Sequence, residues 1–291
     1  MKMKATLLSL LLLLSLLSGC APTEDAQVAA TTLPVYQFTT RLCEGTGISV
    51  TRLVTESVSC LHDYSLNVSQ VRSAESAQVI VISGAGLEEF MEDILHNADT
   101  VIDSSAGIDL LSCETENEHD HEHHHHEEDA HIWLSPVNAK VMVSNICAGL
   151  VKQFPEHEDT FIKNLTDLHA QLDALQAYGE SQLNELSCRK LITFHDGFGY
   201  LAHAFDLTIL EAIEEESGSE ASAQELIRLI KTVEDNKLPA VFTEINGSVS
   251  AADIIAAETE AGVFALDMAM GGDDYFEAMY HNIDTIKEAL G

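Results

Sequence analysis

Apolar residues recur along the chain in two rhythms, and their alternation predicts an α/β protein built in two halves. In the first half, short β-rich runs occupy Gln27–Thr32, Ile48–Val54, Gln78–Ser83 and Thr100–Asp103. Helical patterns fall at Thr39–Glu44, Ser69–Ser76, Leu87–His96 and Pro136–Phe154. Strands that alternate with helices predict crossover units and therefore parallel sheet. The second half resumes the same order. Its strands are expected at Lys190–Phe194, Leu207–Glu211, Ala240–Thr243 and Val263–Leu266, and its helices at Gly199–Phe205, Ala221–Asn236, Ser250–Ala261 and Asp273–Leu290.

Between the halves, Phe161, Leu165, Leu168, Leu172 and Leu175 follow the spacing of one apolar helix stripe. The stretch opens at Pro155, and a helix of roughly thirty residues would span roughly 45 Å. That length suits a rigid spine between lobes better than an ordinary crossover. A coiled-coil dimer would need more clean heptads than the stretch contains. The expected organisation is a signal peptide at 1–19, a lipidated cysteine and tether at 20–26 and an N-terminal lobe at 27–154. A histidine- and acid-rich loop at 114–129 interrupts that lobe; a linker helix at 155–187 and a C-terminal lobe at 188–291 follow. Two lobes of similar order predict a cleft between them.

The start of the chain has a different character. Lys2 and Lys4 precede an apolar run from Leu7 to Leu17, and Leu17-Ser18-Gly19-Cys20 closes it. The run is short for a transmembrane helix and reads as a secretory signal. The cysteine at its end predicts a lipobox, with Cys20 carrying the lipid and forming the new N-terminus.

Charge narrows the choice of partners. Acidic residues number 48 against 14 basic ones, a formal net charge of −34. Nucleic acid and anionic lipid surfaces both need clustered Lys and Arg, so neither is an expected partner. The negative field favours cations near the surface. Beyond Cys20 there are five cysteines (Cys43, Cys60, Cys113, Cys147 and Cys188), an odd number with no CxxC spacing. A thiolate zinc knuckle is therefore not expected, and buried thiols are the default for most of them.

Histidines carry the candidate chemistry. The densest group is His119, His121, His123, His124, His125 and His126, set among eight acidic residues in Glu114–Asp129. Imidazole is the commonest side-chain ligand for divalent transition metals, but a tract without apolar residues cannot build a core of its own. It predicts an auxiliary, low-affinity metal-binding loop. The HExxH match at His121–His125 lacks the apolar face that docks such a helix in a zinc hydrolase, and a His/Glu-rich run produces it by chance. No GxSxG or P-loop pattern occurs.

Three other histidines lie in ordered-looking blocks. His62 heads His62-Asp63-Tyr64-Ser65-Leu66, in the loop after the second strand. His131 lies in Ala130-His131-Ile132-Trp133-Leu134-Ser135-Pro136, which holds the chain's one tryptophan. His195 follows a strand in Phe194-His195-Asp196-Gly197-Phe198-Gly199-Tyr200. The carboxyl ends of parallel strands are where α/β folds place ligands. Taken singly, each of these histidines reads more readily as a hydrogen-bonded core residue than as a ligand.

In this order, the three blocks resemble the substrate-binding lipoproteins of zinc and manganese ABC transporters, the cluster A-I group. The resemblance extends over nearly all of the chain beyond the signal, including Val241-Phe242-Thr243-Glu244 and the tail Tyr275–Leu290. It implies two lobes, each with a small parallel sheet flanked by helices, joined by one long rigid helix, with the metal in the interlobe cleft. It also implies His62 and His131 as ligands from the first lobe and His195 from the second. Asp267 stands at the position of a family carboxylate, leaving Asp267 or water as the fourth ligand. Met268-Ala269-Met270-Gly271 follows it, where the family usually has proline and leucine. Asp63, Asp196 and Glu244 are candidate acceptors that would orient the imidazoles.

Manganese members of the group usually carry a carboxylate at the third position. Three imidazoles with one carboxylate or water suit tetrahedral Zn²⁺, whereas Mn²⁺ takes more oxygens. The resemblance thus implies a non-enzymatic, extracytoplasmic Zn²⁺-binding component of an ABC importer. It would be a lipid-anchored monomer delivering zinc to a membrane permease driven by a cytoplasmic ATPase. The alternatives are a manganese or iron binder of the same fold, a metal-dependent surface adhesin, and a secreted zinc hydrolase.

Overall fold

Eight short strands form two separate, wholly parallel four-stranded sheets in the computed structural model, which describes residues 26–56, 61, 64–112, 128–212, 221–245 and 247–291. In the first lobe β1 (Val28–Ala30), β2 (Val50–Arg52), β3 (Val79–Ile82) and β4 (Val101–Asp103) lie in the order β2-β1-β3-β4. In the second, β5 (Lys190–Thr193), β6 (Thr208–Ala212), β7 (Ala240–Glu244) and β8 (Gly262–Leu266) repeat that order as β6-β5-β7-β8. Inner strands of a covered parallel sheet are apolar on both faces. Accordingly β1 and β7 are buried throughout, while the edge strands β2 and β4 are partly exposed.

The connecting helices of the first lobe are α1 (Leu33–Leu42), α2 (Val68–Ser76), α3 (Glu92–Asn97) and α4 (Pro136–Gln153). The second lobe has α6 (Gly199–Ala204), α7 (Ala223–Asn236), α8 (Ser250–Thr259) and α9 (Tyr275–Leu290). Their starts follow local chemistry. Asn67 and Glu225 take part in capping boxes, with Gln70 and Ser222 as the respective partners. Ser135 caps α4 ahead of Pro136, and the Asp274 carboxylate accepts from the backbone N–H groups of Phe276 and Glu277.

The spine is α5 (Glu158–Gln182), entered through a 3₁₀ turn at Pro155–His157. Its 25 residues give a length of about 37 Å, shorter than the roughly 45 Å expected. The predicted stripe is the packed one: Phe161, Leu168, Leu172 and Leu175 are buried and Leu165 is partly so. The helix packs on α4 and α1 from the first lobe and on α9 from the second. At Gly179 the spine lies directly against the Phe205 ring, with which a side chain there would collide. One large core therefore runs from Val28 through the spine to Leu290.

Two predicted elements differ. The helix expected at Thr39–Glu44 begins earlier, at Leu33, because Pro34 sits in the first turn, where its missing N–H and fixed φ are tolerated. The helix expected over Leu87–His96 is a 3₁₀ turn at Glu89–Met91 followed by α3. Ahead of that turn, the buried Glu88 carboxylate accepts from Ser83 N–H, Gly84 N–H and Thr31 Oγ1–H and draws the chain back toward the sheet. Among the described cysteines, Cys43 and Cys147 are buried free thiols and Cys188 is a partly buried one. No helix among the described residues is long and apolar enough to cross a membrane.

Candidate metal centre between the lobes

His131 enters the cleft on the 3₁₀ turn Ile132–Leu134, whose three side chains are all buried. Burial of that turn fixes the backbone, and Asp129 fixes the ring. One Asp129 carboxylate oxygen lies 2.8 Å from His131 Nδ1 and accepts the His131 backbone N–H at 2.8 Å as well. Both residues are buried. A carboxylate on Nδ1 orients the imidazole and leaves Nε2 directed at the cleft.

His195 arrives from the other lobe, two residues beyond the end of β5. Its Nε2 lies 3.4 Å from His131 Nε2, with the two rings perpendicular and their centroids 5.1 Å apart. Its Nδ1 lies 3.3 Å from an oxygen of Glu244, the last and buried residue of β7. The two imidazoles are thus set alike, each with a buried carboxylate behind Nδ1 and with Nε2 facing its counterpart.

The block after His195 completes the wall. A side chain at Gly197 would meet the His195 ring and, at 2.7 Å, the Met268 methyl, so only glycine lets the turn fold back on the imidazole. Tyr200 reaches across to the first lobe: its hydroxyl accepts from Leu111 N–H at 2.9 Å and donates to Asp129 carbonyl oxygen at 3.0 Å. Beneath the site, Trp133 Nε1–H donates to Met268 carbonyl oxygen at 2.8 Å, and Tyr275 hydroxyl donates back to Trp133 carbonyl oxygen at 2.7 Å. Both aromatic side chains are completely buried.

The other predicted residues stand as follows. Asp267 follows β8 with its backbone held on both sides by Asn282, at 2.7 Å each, and one of its carboxylate oxygens accepts Ala269 N–H at 2.8 Å. At Asp196, burial raises the carboxyl above the ordinary range, the Asp129 charge adds to that, and His131 opposes it. His62, Asp63, Cys20 and the histidines from His119 to His126 lie outside the described residues. Within the described residues no three His, Cys, Asp or Glu side chains are grouped to hold a metal. The cleft therefore brings together His131 and His195, with Asp129 and Glu244 behind them.

Asp129 was not singled out as a site residue from the sequence, where it reads as the end of the acidic tract; the available signal was a carboxylate two residues before a histidine. Tyr200 gave no signal beyond its place in the His195 block.

Comparison with known proteins agrees with this architecture. Residues 28–289 match the family model described as "ZnuA: Zinc-uptake complex component A periplasmic". The chain is 30% identical over 287 residues to "High-affinity zinc uptake system protein ZnuA" of Bacillus subtilis (strain 168), covering 92% of this chain and 88% of that one. A solved structure titled "Crystal structure of ZnuA" superposes with a TM-score of 0.79 at 31% identity, covering 91% of this chain and 99% of that one. Another, "Crystal structure of 138-173 ZnuA deletion mutant plus zinc bound", gives 0.77 at 30% identity, covering 92% and 99%.

Proposed function

The chain belongs to the family of periplasmic zinc-uptake component A proteins, and from that premise we propose that it captures Zn²⁺ outside the cytoplasm for an ABC importer through a cleft site made by His62, His131 and His195, with Asp267 or water as the fourth ligand. The observation that carries the reading is the 3.4 Å between the two Nε2 atoms. Two nitrogens bound at about 2.05 Å in a tetrahedron lie about 3.3 Å apart, so the pair has the spacing of one edge of a zinc coordination sphere. The carboxylates on Nδ1 support it, since they raise ligand basicity and hold each lone pair toward the ion.

Zinc is preferred to manganese or iron because a third imidazole, His195, stands where an oxygen ligand would favour the harder ions. The protein is a substrate-binding component, not an enzyme: the ion is its cargo, bound and handed on unchanged. Its partners are the membrane permease and the ATPase that drives it. A lipid on Cys20 would hold the protein, as a monomer, close to that permease.

Metal stoichiometry of the purified soluble protein tests the site. The unaltered protein should hold Zn²⁺ tightly at one cleft position, and Mn²⁺ at equal concentration should not displace it. His195→Ala should lose that position, while removal of residues 118–128 should leave it in place. Unchanged tight one-site binding in His195→Ala would overturn the assignment.

A further inference from the structure

Between the first sheet and the turn after Asp267 lies a polar chain that the ligand set does not use. Arg52 is the last residue of β2 and one of only five arginines in a strongly acidic protein. Its guanidinium crosses to the second lobe, donating from Nη1 to Gly272 carbonyl oxygen at 3.0 Å and from Nη2 to Met270 carbonyl oxygen at 2.5 Å. Those carbonyls belong to the turn that follows Asp267, in which Ala269 and Gly272 both have left-handed backbone, at φ 54 and φ 71. A turn with a non-glycine residue at positive φ is held by its surroundings, and Arg52 supplies two of the holding bonds.

The next residue points the other way. Leu53 carbonyl oxygen accepts from Gln70 Nε2 at 2.7 Å, and Gln70 is buried. The same amide nitrogen lies 2.7 Å from Tyr64 hydroxyl and 3.1 Å from a Glu56 carboxylate oxygen, while Tyr64 hydroxyl itself donates to Glu56 at 2.5 Å. Gln70 Oε1 accepts Asn67 N–H at 2.7 Å, which fixes the direction of the amide. Glu56 and Tyr64 flank the seven residues that contain His62. Arg52 and Leu53 are therefore the joint at which the two roots of the His62 segment meet the turn behind Asp267.

We propose that Arg52 and Gln70 are positioning residues of the zinc site, tying the roots of the His62 segment to the Asp267 turn so that ligands from the two lobes keep one mutual geometry. The proposal rests on the ligand set given above. Neither residue touches the ion; each acts through the backbone that carries a ligand. A well-packed joint of this kind affects how long the ion is retained more than how fast it arrives, because loosening either root lets one ligand leave without the others.

Stopped-flow Zn²⁺ dissociation from the full chain into excess chelator tests this, alongside thermal unfolding of the metal-free protein. Arg52→Met and Gln70→Met should each speed dissociation by about tenfold, and Arg52→Lys should recover to within about threefold of the unaltered protein. In the double variant the two effects should fall short of additive, since both break the same joint. A purely structural role would lower the metal-free melting temperature but leave dissociation within about twofold, and that result would overturn the proposal, as would full additivity. Tyr64→Phe, which removes only the hydroxyl, gives the same reading should Arg52→Met fail to fold. His131→Ala separates the two levels. If it leaves tight binding intact, the ligand assignment falls and this proposal with it; if it abolishes binding while dissociation from Arg52→Met is unchanged, only the joint is refuted.

Discussion

Removing the carboxylate behind His131 gives the most direct test of how the site is tuned. Asp129→Ala deletes an oxygen that lies 2.8 Å from His131 Nδ1 and also accepts the His131 backbone N–H at 2.8 Å. Both residues are more than nine-tenths buried, so water cannot readily replace the lost acceptor. A hydrogen bond to a charged partner is worth about 1.5–3 kcal/mol net. Loss of such a support behind a metal-bound imidazole weakens affinity about 10–100-fold, which converts to about 1.4–2.8 kcal/mol. The two routes agree, and the orphaned backbone N–H puts Asp129→Ala near the upper end. Asp129→Asn keeps an acceptor without the charge and should fall near the lower end, about tenfold. Chelator competition near pH 7 measures both, with thermal unfolding of the metal-free proteins as the control for folding. An Asp129→Ala affinity within about twofold of the unaltered protein would show that the carboxylate does not tune the imidazole.

Two further outcomes follow from the seam and from the first sheet. Trp133→Phe removes the indole N–H from the buried Met268 carbonyl and should lower stability by about 1–3 kcal/mol in denaturant unfolding; an unchanged midpoint would mean that water satisfies that carbonyl. Burial pushes the Glu88 carboxyl from its ordinary 4.5 up to about 7 despite three donors facing it. Between those values the folded protein keeps a proton that the unfolded chain has lost, so this group's contribution is full at acid pH and declines as pH rises through 7. Across that interval the decline amounts to about 3 kcal/mol at most. Glu88→Gln should flatten stability against pH by that amount, as read from unfolding at about pH 5 and about pH 8. Parallel slopes for the two proteins would refute it.

Much of the architecture was readable because it depends on local rhythm. The buried inner strand β1 is a run of apolar residues, β7 opens on one, and the stripe from Phe161 to Leu175 is the packed face of α5. The errors arise where distant groups intervene. The helix expected from Thr39 already starts at Leu33, with Pro34 in its first turn, and Glu88, which read as part of a helix, spends its carboxylate on Ser83 and Gly84 instead. At the site, the blocks around His131 and His195 were distinctive enough to single out both residues. Their approach to 3.4 Å was not readable, since it depends on how two lobes meet, nor was the Tyr200 tie to Asp129, 71 positions away; the Asp129 support, two residues before His131, was hidden in the acidic tract.

The bonds that tie Trp133 to Met268 and to Tyr275 of the second lobe have a thermodynamic consequence. Tyr275 also packs edge-on against Phe38 at 5.0 Å, so the start of α9 is walled in by residues of the first lobe. Neither sheet can melt while leaving the other's core dry, and the two lobes should behave as a single cooperative unit with one calorimetric transition. Cargo bound anywhere in that unit stabilises all of it by mass action. A melting curve then serves as a gauge of loading: an ion held at the proposed cleft site should shift the unfolding of the far edge of either sheet.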